Sequence, residues 1–366
     1  MRNPFTPNFG QVPVVLAGRD QLIDEVLQAF DNAPGDPSLT SILIGARGTG
    51  KTALLSLLAG EAQSRGWLVV NAPCIEGMLE NIVQGAARAA SHLIDSEPSA
   101  RPTALTLGQL VGVEWERDKP AEPTWYIRMC ELLDKLKELG IGLLITVDEV
   151  RPNLPEMVEL ASYYQLFVRD EHKIALLMAG LPSQVSALVS NDILTFLRRA
   201  SQYHLGRIDA EDAKLVFQET AEQYGKSFSS PALELASGAA DGFPFMMQLV
   251  GYRSWQAAGE SAVIDEEAVR QGIPRASADM KARVLRSTLD ELSDGDLAFL
   301  EAMLEDERVS LSSDVARRMG KSDSYASQYR SRLIERGIIG ARGRGRVGFE
   351  LPMLREYLPE YLEGRF

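Results

Sequence analysis

An α/β protein built on a parallel sheet, followed by a helical region and a small helix-and-hairpin unit, is predicted by three observations. The first is the stretch Gly45-Ala46-Arg47-Gly48-Thr49-Gly50-Lys51-Thr52, set between the apolar run Leu39 to Ile44 and a helical segment opening at Ala53. The second is the return of buried-strand runs at Trp67 to Ala72, Ile141 to Val147 and Lys173 to Gly180, each separated from the next by helical stretches. That alternation calls for a parallel sheet covered by helices on both faces. The third is a change of character: strand signals stop at Asp209, and from about residue 291 short helices lead into two strands joined by an Arg/Gly tip.

The elements follow in order. Residues 1–13, rich in Pro, Asn and Phe, read as an irregular arm. Gln21 to Phe30 has apolar residues at 22, 23, 26, 27 and 30, the pattern of a helix with one buried face. Asp31 to Ser38, with two prolines and a glycine, is a loop. Leu39 to Ile44 is the first strand and Trp67 to Ala72 the second. Gly77 to Asp95 reads as a helix, 96–102 as a loop and Thr103 to Lys119 as a short hairpin. Pro123 to Leu139 is an amphipathic helix stopped by Gly140. Ile141 to Val147 is a strand of the fully buried kind, and it ends in Asp148-Glu149. A helix over 156–171, the strand Lys173 to Gly180, a helix over Ile193 to Ala200 and a last strand over Ser201 to Leu205 complete this part.

After Asp209 we expect helices at Asp209 to Tyr224, Pro231 to Ala240, Phe245 to Ala258 and Asp265 to Gln271, with Ala276 to Asp290 as a connecting helix. Asp294 to Leu304 and Ser312 to Met319 are short helices, and a third runs to Glu335, capped by Ser322 or Ser324 and stopped by Gly337. Ile338 to Leu351 reads as strand, Arg/Gly tip and return strand, which with the preceding helices makes a winged-helix pattern. The expected division is therefore 1–208 for the α/β core, 209–290 for a helical lid and 291–366 for a winged-helix domain.

Bulk properties limit the function classes. The chain has 366 residues, 45% of them hydrophobic and 24% charged, the mix of a water-soluble globular protein of two or three domains. No apolar run approaches the roughly 18 residues that span a bilayer, and the N-terminus lacks the apolar core of a signal peptide. Two distant cysteines and three scattered histidines imply neither a disulfide framework nor a histidine-rich metal site, so a reducing, cytoplasmic setting is expected. The formal net charge is −13, but between Arg308 and Gly348 ten basic residues face three acidic ones, which leaves +7 there and −20 elsewhere. An asymmetry of that kind suggests that one end meets a polyanion.

The spacing G-x-x-x-x-G-K-T between strand and helix is that of a phosphate-binding loop. Glycines let consecutive N–H groups turn inward, and the start of the next helix adds its positive end. Gly45 through Ala53 would hold a nucleotide's α- and β-phosphates, Lys51 would reach the β/γ oxygens, and Thr52 would ligate Mg²⁺. Asp148 would orient the same Mg²⁺, and Glu149 would orient the attacking water or take its proton. At the other end, Arg342, Arg344 and Arg346 alternate with glycines at a hairpin tip, where guanidiniums can fork onto phosphates. Tyr325, Gln328, Tyr329, Arg330 and Arg332 sit on or near the candidate recognition helix, with donors suited to base edges of double-stranded DNA.

On these motifs the sequence resembles AAA+ ATPases, within them the branch of origin-recognition initiators and related archaeal-type, STAND-like proteins. The resemblance is carried by the phosphate loop, Asp148-Glu149, Ala17-Gly18-Arg19-Asp20-Gln21-Leu22, Gly242-Phe243-Pro244 and the C-terminal winged-helix pattern. It implies a P-loop NTPase core and ATP with Mg²⁺ as cofactors. It places Val15 and Leu16 near the adenine and Pro244 on the nucleotide, and makes Arg198 or Arg199 an arginine finger reaching a neighbouring subunit of a homo-oligomer. Two departures stand out. The strand ending at Ala179-Gly180 lacks a sensor Asn or Thr, with Ser183 the nearest polar residue, and no Arg directly follows Gly242-Phe243-Pro244. Slow ATP hydrolysis is the expectation. Two readings remain open: a switch coupling ATP to DNA binding, and a signalling ATPase whose nucleotide state controls oligomerisation or a protein partner.

Overall fold

The computed structural model describes residues 2–8, 10–96 and 124–364, with side chains left undescribed for 91–96. The hairpin expected over Thr103 to Lys119 and the loop before it lie outside these residues. The central sheet is all-parallel and five-stranded: β1 (Thr40–Ile44), β2 (Leu68–Pro73), β3 (Leu143–Asp148), β4 (Ile174–Gly180) and β5 (Ser201–His204), in the order β2-β3-β4-β1-β5. Central strands are buried on both faces, which is why β4 reads as an unbroken apolar run, Ile-Ala-Leu-Leu-Met-Ala-Gly. One face is covered by α1 (Asp20–Asn32) and α2 (Lys51–Ser64), which share a core with Leu43, Leu144 and Leu177. The other face packs α3 (Met78–Ser96), α4 (Trp125–Glu138), α5 (Pro155–Arg169) and α6 (Pro182–Val189) on Ile42, Ile145 and Met178.

The helices expected after Asp209 are present as α7 (Ala210–Glu222), α8 (Ser230–Ala240), α9 (Pro244–Ala257) and α10 (Glu266–Met280). Asp209, Ser229 and Asp265 each accept a backbone N–H from the first turn of α7, α8 and α10, the local reason these helices start where they do. Beyond them lie α11 (Arg286–Asp290), α12 (Asp294–Met303), α13 (Ser312–Arg318), α14 (Asp323–Glu335), β8 (Ser310–Leu311), β9 (Ile339–Ala341), β10 (Arg346–Phe349) and α15 (Leu354–Glu363). Ser322 is the residue that caps α14, by accepting from Tyr325 N–H.

Four local expectations change. Residues Thr195–Arg199 form one 3-10 turn rather than a longer helix, while α6 forms just before it with Pro182 in its first turn. Strands do not stop at Asp209: β6 (Ser227–Phe228) pairs in parallel with β7 (Val263–Ile264), a unit too short to show alternation but fixed by the burial of Phe228 and Ile264. The two helices expected around Pro274 are one, α10, which continues through a π turn (Lys281–Leu285) into α11. The close approach of Gly272 to Ser254 on α9 presses that helix onto its neighbour, so tertiary packing overrides the proline. Finally, β8 adds a third strand to the C-terminal hairpin, in the order β8-β10-β9.

One apolar cluster runs unbroken from Ile208 through the helices after it to Leu358, and it includes Phe5 of the N-terminal arm. Phe5 is 1% exposed and packs against Phe217 and Phe228. The C-terminal segment thus shares its interior with the region expected to be the lid.

Candidate nucleotide site

The carboxyl ends of parallel strands are where a fold of this class gathers its ligands. The loop after β1 turns there with Gly48 at φ 81° and Gly50 at φ 90°, the left-handed region that only glycine enters cheaply. A side chain at Gly48 would also strike the Phe243 ring at 2.6 Å, so nothing larger fits between the loop and α9. Thr49 Oγ1 donates to the Ala46 carbonyl at 2.9 Å and locks the turn. Gly50 supplies no side-chain cap to α2, which leaves the first-turn N–H groups of that helix to a ligand.

Lys51 Nζ lies within the loop, donating to the Gly45 and Ala46 carbonyls at 2.9 and 2.8 Å. Burial of the ammonium is the main influence on it and pushes its pKa down to about 8, against the opposing pull of Asp148 and Glu149. Thr52 Oγ1 donates to Asp148 Oδ2 at 2.5 Å, and Glu149 N–H donates to Asp148 Oδ1 at 2.9 Å. Asp148 is therefore held from two sides. Glu149 is exposed and sits at φ 52°, an uncommon conformation for a non-glycine residue and one that recurs at functional turns. The Val150 N–H, bonded to the Ala179 carbonyl at 2.9 Å, fixes the chain beyond it.

Of these residues Gly48, Gly50, Lys51, Thr52, Asp148 and Glu149 line a cleft of about 360 Å³. Its far wall is α9: Pro244, Phe245 and Gln248 face the cleft, and Phe245 N–H donates to the Gly48 carbonyl at 3.2 Å. A second wall is the N-terminal arm, with Thr6, Asn8, Gly10, Gln11 and Pro13. The arm is anchored by Phe5 and by Thr6 N–H, which donates to Gln248 Oε1 at 2.9 Å. Arg283, Val284 and Ser287 close the third side.

The residues fit a magnesium-bound nucleoside triphosphate. The loop turns on Gly48 and Gly50 at positive φ, the helix behind it is uncapped, an ammonium stands inside it, and a hydroxyl and a carboxylate lie side by side. Hard oxygen donors of that kind suit Mg²⁺, which is held in phosphate sites by one or two protein oxygens plus the substrate's own. Among the described residues no group of three or more His, Cys, Asp or Glu side chains gathers as a separate metal cage.

Not every expected residue joins the cleft. Pro244 does. Val15 and Leu16 do not line it; Val15 packs against the apolar cluster that follows Ile208, and Gly10, Gln11 and Pro13 of the arm line the cleft. The family resemblance points to Val15 and Leu16, whereas the arm's position depends on the distant anchor Phe5. Arg198 and Arg199 are exposed just before β5, at the amino end of the sheet, so neither can touch this chain's own cleft. Ser183 lines a separate cavity with Arg47, Gln184, Glu291 and Arg336, between the core and the C-terminal segment.

The C-terminal basic residues divide. Arg344 and Arg346 are exposed at the hairpin, and Gln328 and Tyr325 are exposed on α14. Arg342 is tied to Glu350 at 2.6 Å. Arg332 pairs with Asp296, which is 1% exposed, and lies over the Tyr329 ring, so it braces its own unit while remaining partly exposed. Arg330 is half-buried. Helix α14 also packs against α6 of the core.

Comparison with known proteins agrees with this architecture. Residues 15–161 match the family described as AAA ATPase domain, and residues 282–358 match a domain of unknown function, DUF8462. No curated protein sequence matches the chain. Among solved structures, the Walker-type ATPase paby2304 of Pyrococcus abyssi superposes with a TM-score of 0.68 at 14% identity, covering 94% of this chain and 96% of that one. The Aeropyrum pernix ORC2 protein in its ADPNP–ADP complexes gives a TM-score of 0.65 at 16% identity, covering 100% and 98%. The fold is that of a P-loop NTPase with a helical C-terminal region, and residues 15–161 are similar to the AAA ATPase domain family.

Proposed function

We propose that the chain is an ATP-binding, slowly ATP-hydrolysing AAA+ switch of the origin-recognition initiator type, whose nucleotide state governs DNA binding by a C-terminal winged helix. The observation that carries the nucleotide half is the Thr52–Asp148 contact beside Lys51 and the uncapped start of α2. Loop amides and Lys51 hold the phosphates, while Thr52 and Asp148 hold Mg²⁺, which neutralises phosphate charge when bound. Glu149 orients the attacking water and accepts its proton. The shared fold is one that holds ADPNP and ADP in the Aeropyrum protein, consistent with ATP as the ligand.

Support for DNA binding is the exposed Arg344 and Arg346 at a glycine-rich turn, with Gln328 and Tyr325 on α14 nearby. In a homo-oligomer, Arg198 or Arg199 would serve a neighbour's nucleotide. A second reading is favoured by the packing of α14 on α6: a signalling ATPase in which the C-terminal unit docks a protein and nucleotide controls that contact.

Lys51→Ala is expected to abolish ATP binding, and Glu149→Gln to leave binding intact while suppressing turnover; normal ATPase rates in both would remove the catalytic reading. Titration of duplex DNA at several salt concentrations separates the two partners. A steep salt dependence, lost when Arg344 and Arg346 become Ala, supports DNA. No binding at low salt together with ATP-dependent oligomers supports the signalling reading.

A further inference from the structure

The arm before α1 is fastened to one part of the molecule and continues into another. Asn3 Nδ2 donates to the Tyr252 carbonyl at 3.0 Å, Thr6 N–H donates to Gln248 Oε1 at 2.9 Å, and the Pro7 carbonyl accepts from Arg283 Nη1 at 3.0 Å. Tyr252 and Gln248 are on α9, and Arg283 is on the π turn after α10. All three partners therefore belong to the helical region after Asp209.

Phe5 is the deepest of these attachments. Its ring lies 6.1 Å from that of Phe217 on α7 and 6.3 Å from that of Phe228 on β6. Below it is Gly251 of α9, where a Cβ would come within 2.3 Å of the Phe5 ring. Gly251 is thus the floor of a socket that accepts Phe5 because the floor has no side chain. Pro4 and Pro7 flank the ring and are buried. Prolines narrow the conformations open to the unseated segment, so less entropy is lost when it seats.

The same chain then runs into α1, which packs on the sheet beside α2. Between the two anchorages Asn8, Gly10, Gln11 and Pro13 line the cleft. Gly10 is at φ 72°, and a Cβ there would lie 3.9 Å from Thr52 Cγ2. Core and helical region are therefore joined twice, directly between β5 and α7 and again by the arm. Two bodies joined at one point can hinge apart; a second link limits the opening until it lets go. The socket is on α9, whose first turn, Pro244 and Phe245, faces the cleft, so one helix carries both the wall and the clasp.

We propose that the arm is a strap across the cleft, clasped by Phe5 in its Gly251 socket, and that nucleotide enters and leaves when the clasp opens. This rests on the nucleotide reading of the cleft. Phe5 itself stands back from the cleft lining, so it is a positioning residue. A strap that must open for passage slows entry and exit alike. A wall that only touched the nucleotide would slow exit alone.

The test is stopped-flow association and displacement of mant-ADP with Mg²⁺, on wild type, Phe5→Ala, Phe5→Leu and Gly251→Ala. Phe5→Ala is expected to raise both rate constants about tenfold while Kd stays within about threefold, with Phe5→Leu in between. Gly251→Ala removes no atom of the arm but evicts the ring from the other side, and it should match Phe5→Ala. Hydrogen exchange should quicken over residues 2–13 in both, with α7 to α10 still protected, which marks unseating and not unfolding. A variant whose helices lose protection is set aside, and Phe5→Leu, which still fills part of the socket, then decides. Unchanged rates, or a rise in dissociation alone, would overturn the strap. If wild type binds mant-ADP and Lys51→Ala does not, unchanged rates in the arm variants remove this inference alone. If wild type does not bind it, the cleft reading falls and the strap goes with it.

Discussion

The phosphate loop and the C-terminal basic unit hold their positive groups in opposite ways. At the loop, positive potential comes from backbone N–H groups and the Lys51 ammonium, fixed by a turn within eight residues, while Arg47 of the same loop is paired with Glu291. In the C-terminal unit it comes from long side chains, and many are paired with the protein's own acceptors. Arg332 holds Asp296, Arg318 holds Asp306, Arg317 holds Asp314, Arg342 holds Glu350, and Arg336 bonds a carbonyl. Backbone geometry cannot be diverted by a neighbour, whereas a guanidinium goes to whichever acceptor the fold brings near. A net charge of +7 over residues 308–348 therefore overstates what faces outward; Arg344 and Arg346 are exposed and without an ion-pair partner among the described residues.

The largest expected effect sharpens the loop side. Lys51→Ala should weaken Mg-ATP by at least about a hundredfold, and Glu149→Gln should slow single-turnover hydrolysis by about a hundredfold or more with affinity retained. Quench-flow and calorimetry on the same preparations check both. If Lys51→Ala bound ATP like wild type, backbone and ammonium would not be acting as one device.

Next comes the difference between engaged and unengaged arginines. Arg332→Ala leaves the buried Asp296 carboxylate without its cation and should cost about 2 kcal/mol of stability, discounted because the arginine itself is partly exposed. Arg344→Ala should cost no more than a few tenths of a kcal/mol. Urea unfolding of the two variants compares them, and equal midpoints would erase the distinction.

The pH dependence follows from Lys51. Its folded pKa, about 8, lies below the usual 10.5, so in the free protein the ammonium loses its proton as pH rises through 8. Triphosphate binding needs the charged form. Affinity should therefore fall by up to about tenfold per pH unit above 8, with a proton taken up on binding. Stability of the nucleotide-free protein moves the other way: the unfolded chain holds the proton more tightly, so the cost of burying the ammonium is complete below pH 8 and relieved between 8 and 10.5. Calorimetry in buffers of different ionisation enthalpy reads the proton uptake, and none at pH 9 would place the ammonium elsewhere.

The smallest effect concerns the hairpin. If it meets duplex DNA, Arg344→Ala and Arg346→Ala should each lower the slope of log affinity against log salt by about 1, while Arg342→Ala should lower it by less because Glu350 already holds that side chain. Equal changes for all three would show that the Glu350 pair opens on contact.

The same contrast explains how much was legible beforehand. Five strands, the loop and the Asp148-Glu149 pair could be read because each is a local pattern: an apolar run, a glycine spacing, an acidic strand end. The arm wall could not. Gly10 to Pro13 meet the cleft because Phe5 is buried against Phe217 and Phe228, residues more than 200 positions away. Arg283 was hidden for a related reason: it faces the cleft through a π turn, and a sequence read at 3.6 residues per turn does not contain one. Gly337 stands so close to Ala46 that a Cβ there would lie 3.0 Å from the alanine methyl, a contact that likewise depends on a shared core no local pattern announces.

The central claim is that the loop ending at Lys51 and the carboxylate of Asp148 together hold a magnesium-bound triphosphate. Calorimetric titration of folded, nucleotide-free protein with Mg-ATP at pH 7.5, repeated with Asp148→Asn, tests it most directly. One site per chain in wild type, with much of the magnesium dependence lost in the variant, is the predicted result. No heat with Mg-ATP or Mg-GTP, or the same magnesium dependence in both proteins, would contradict it.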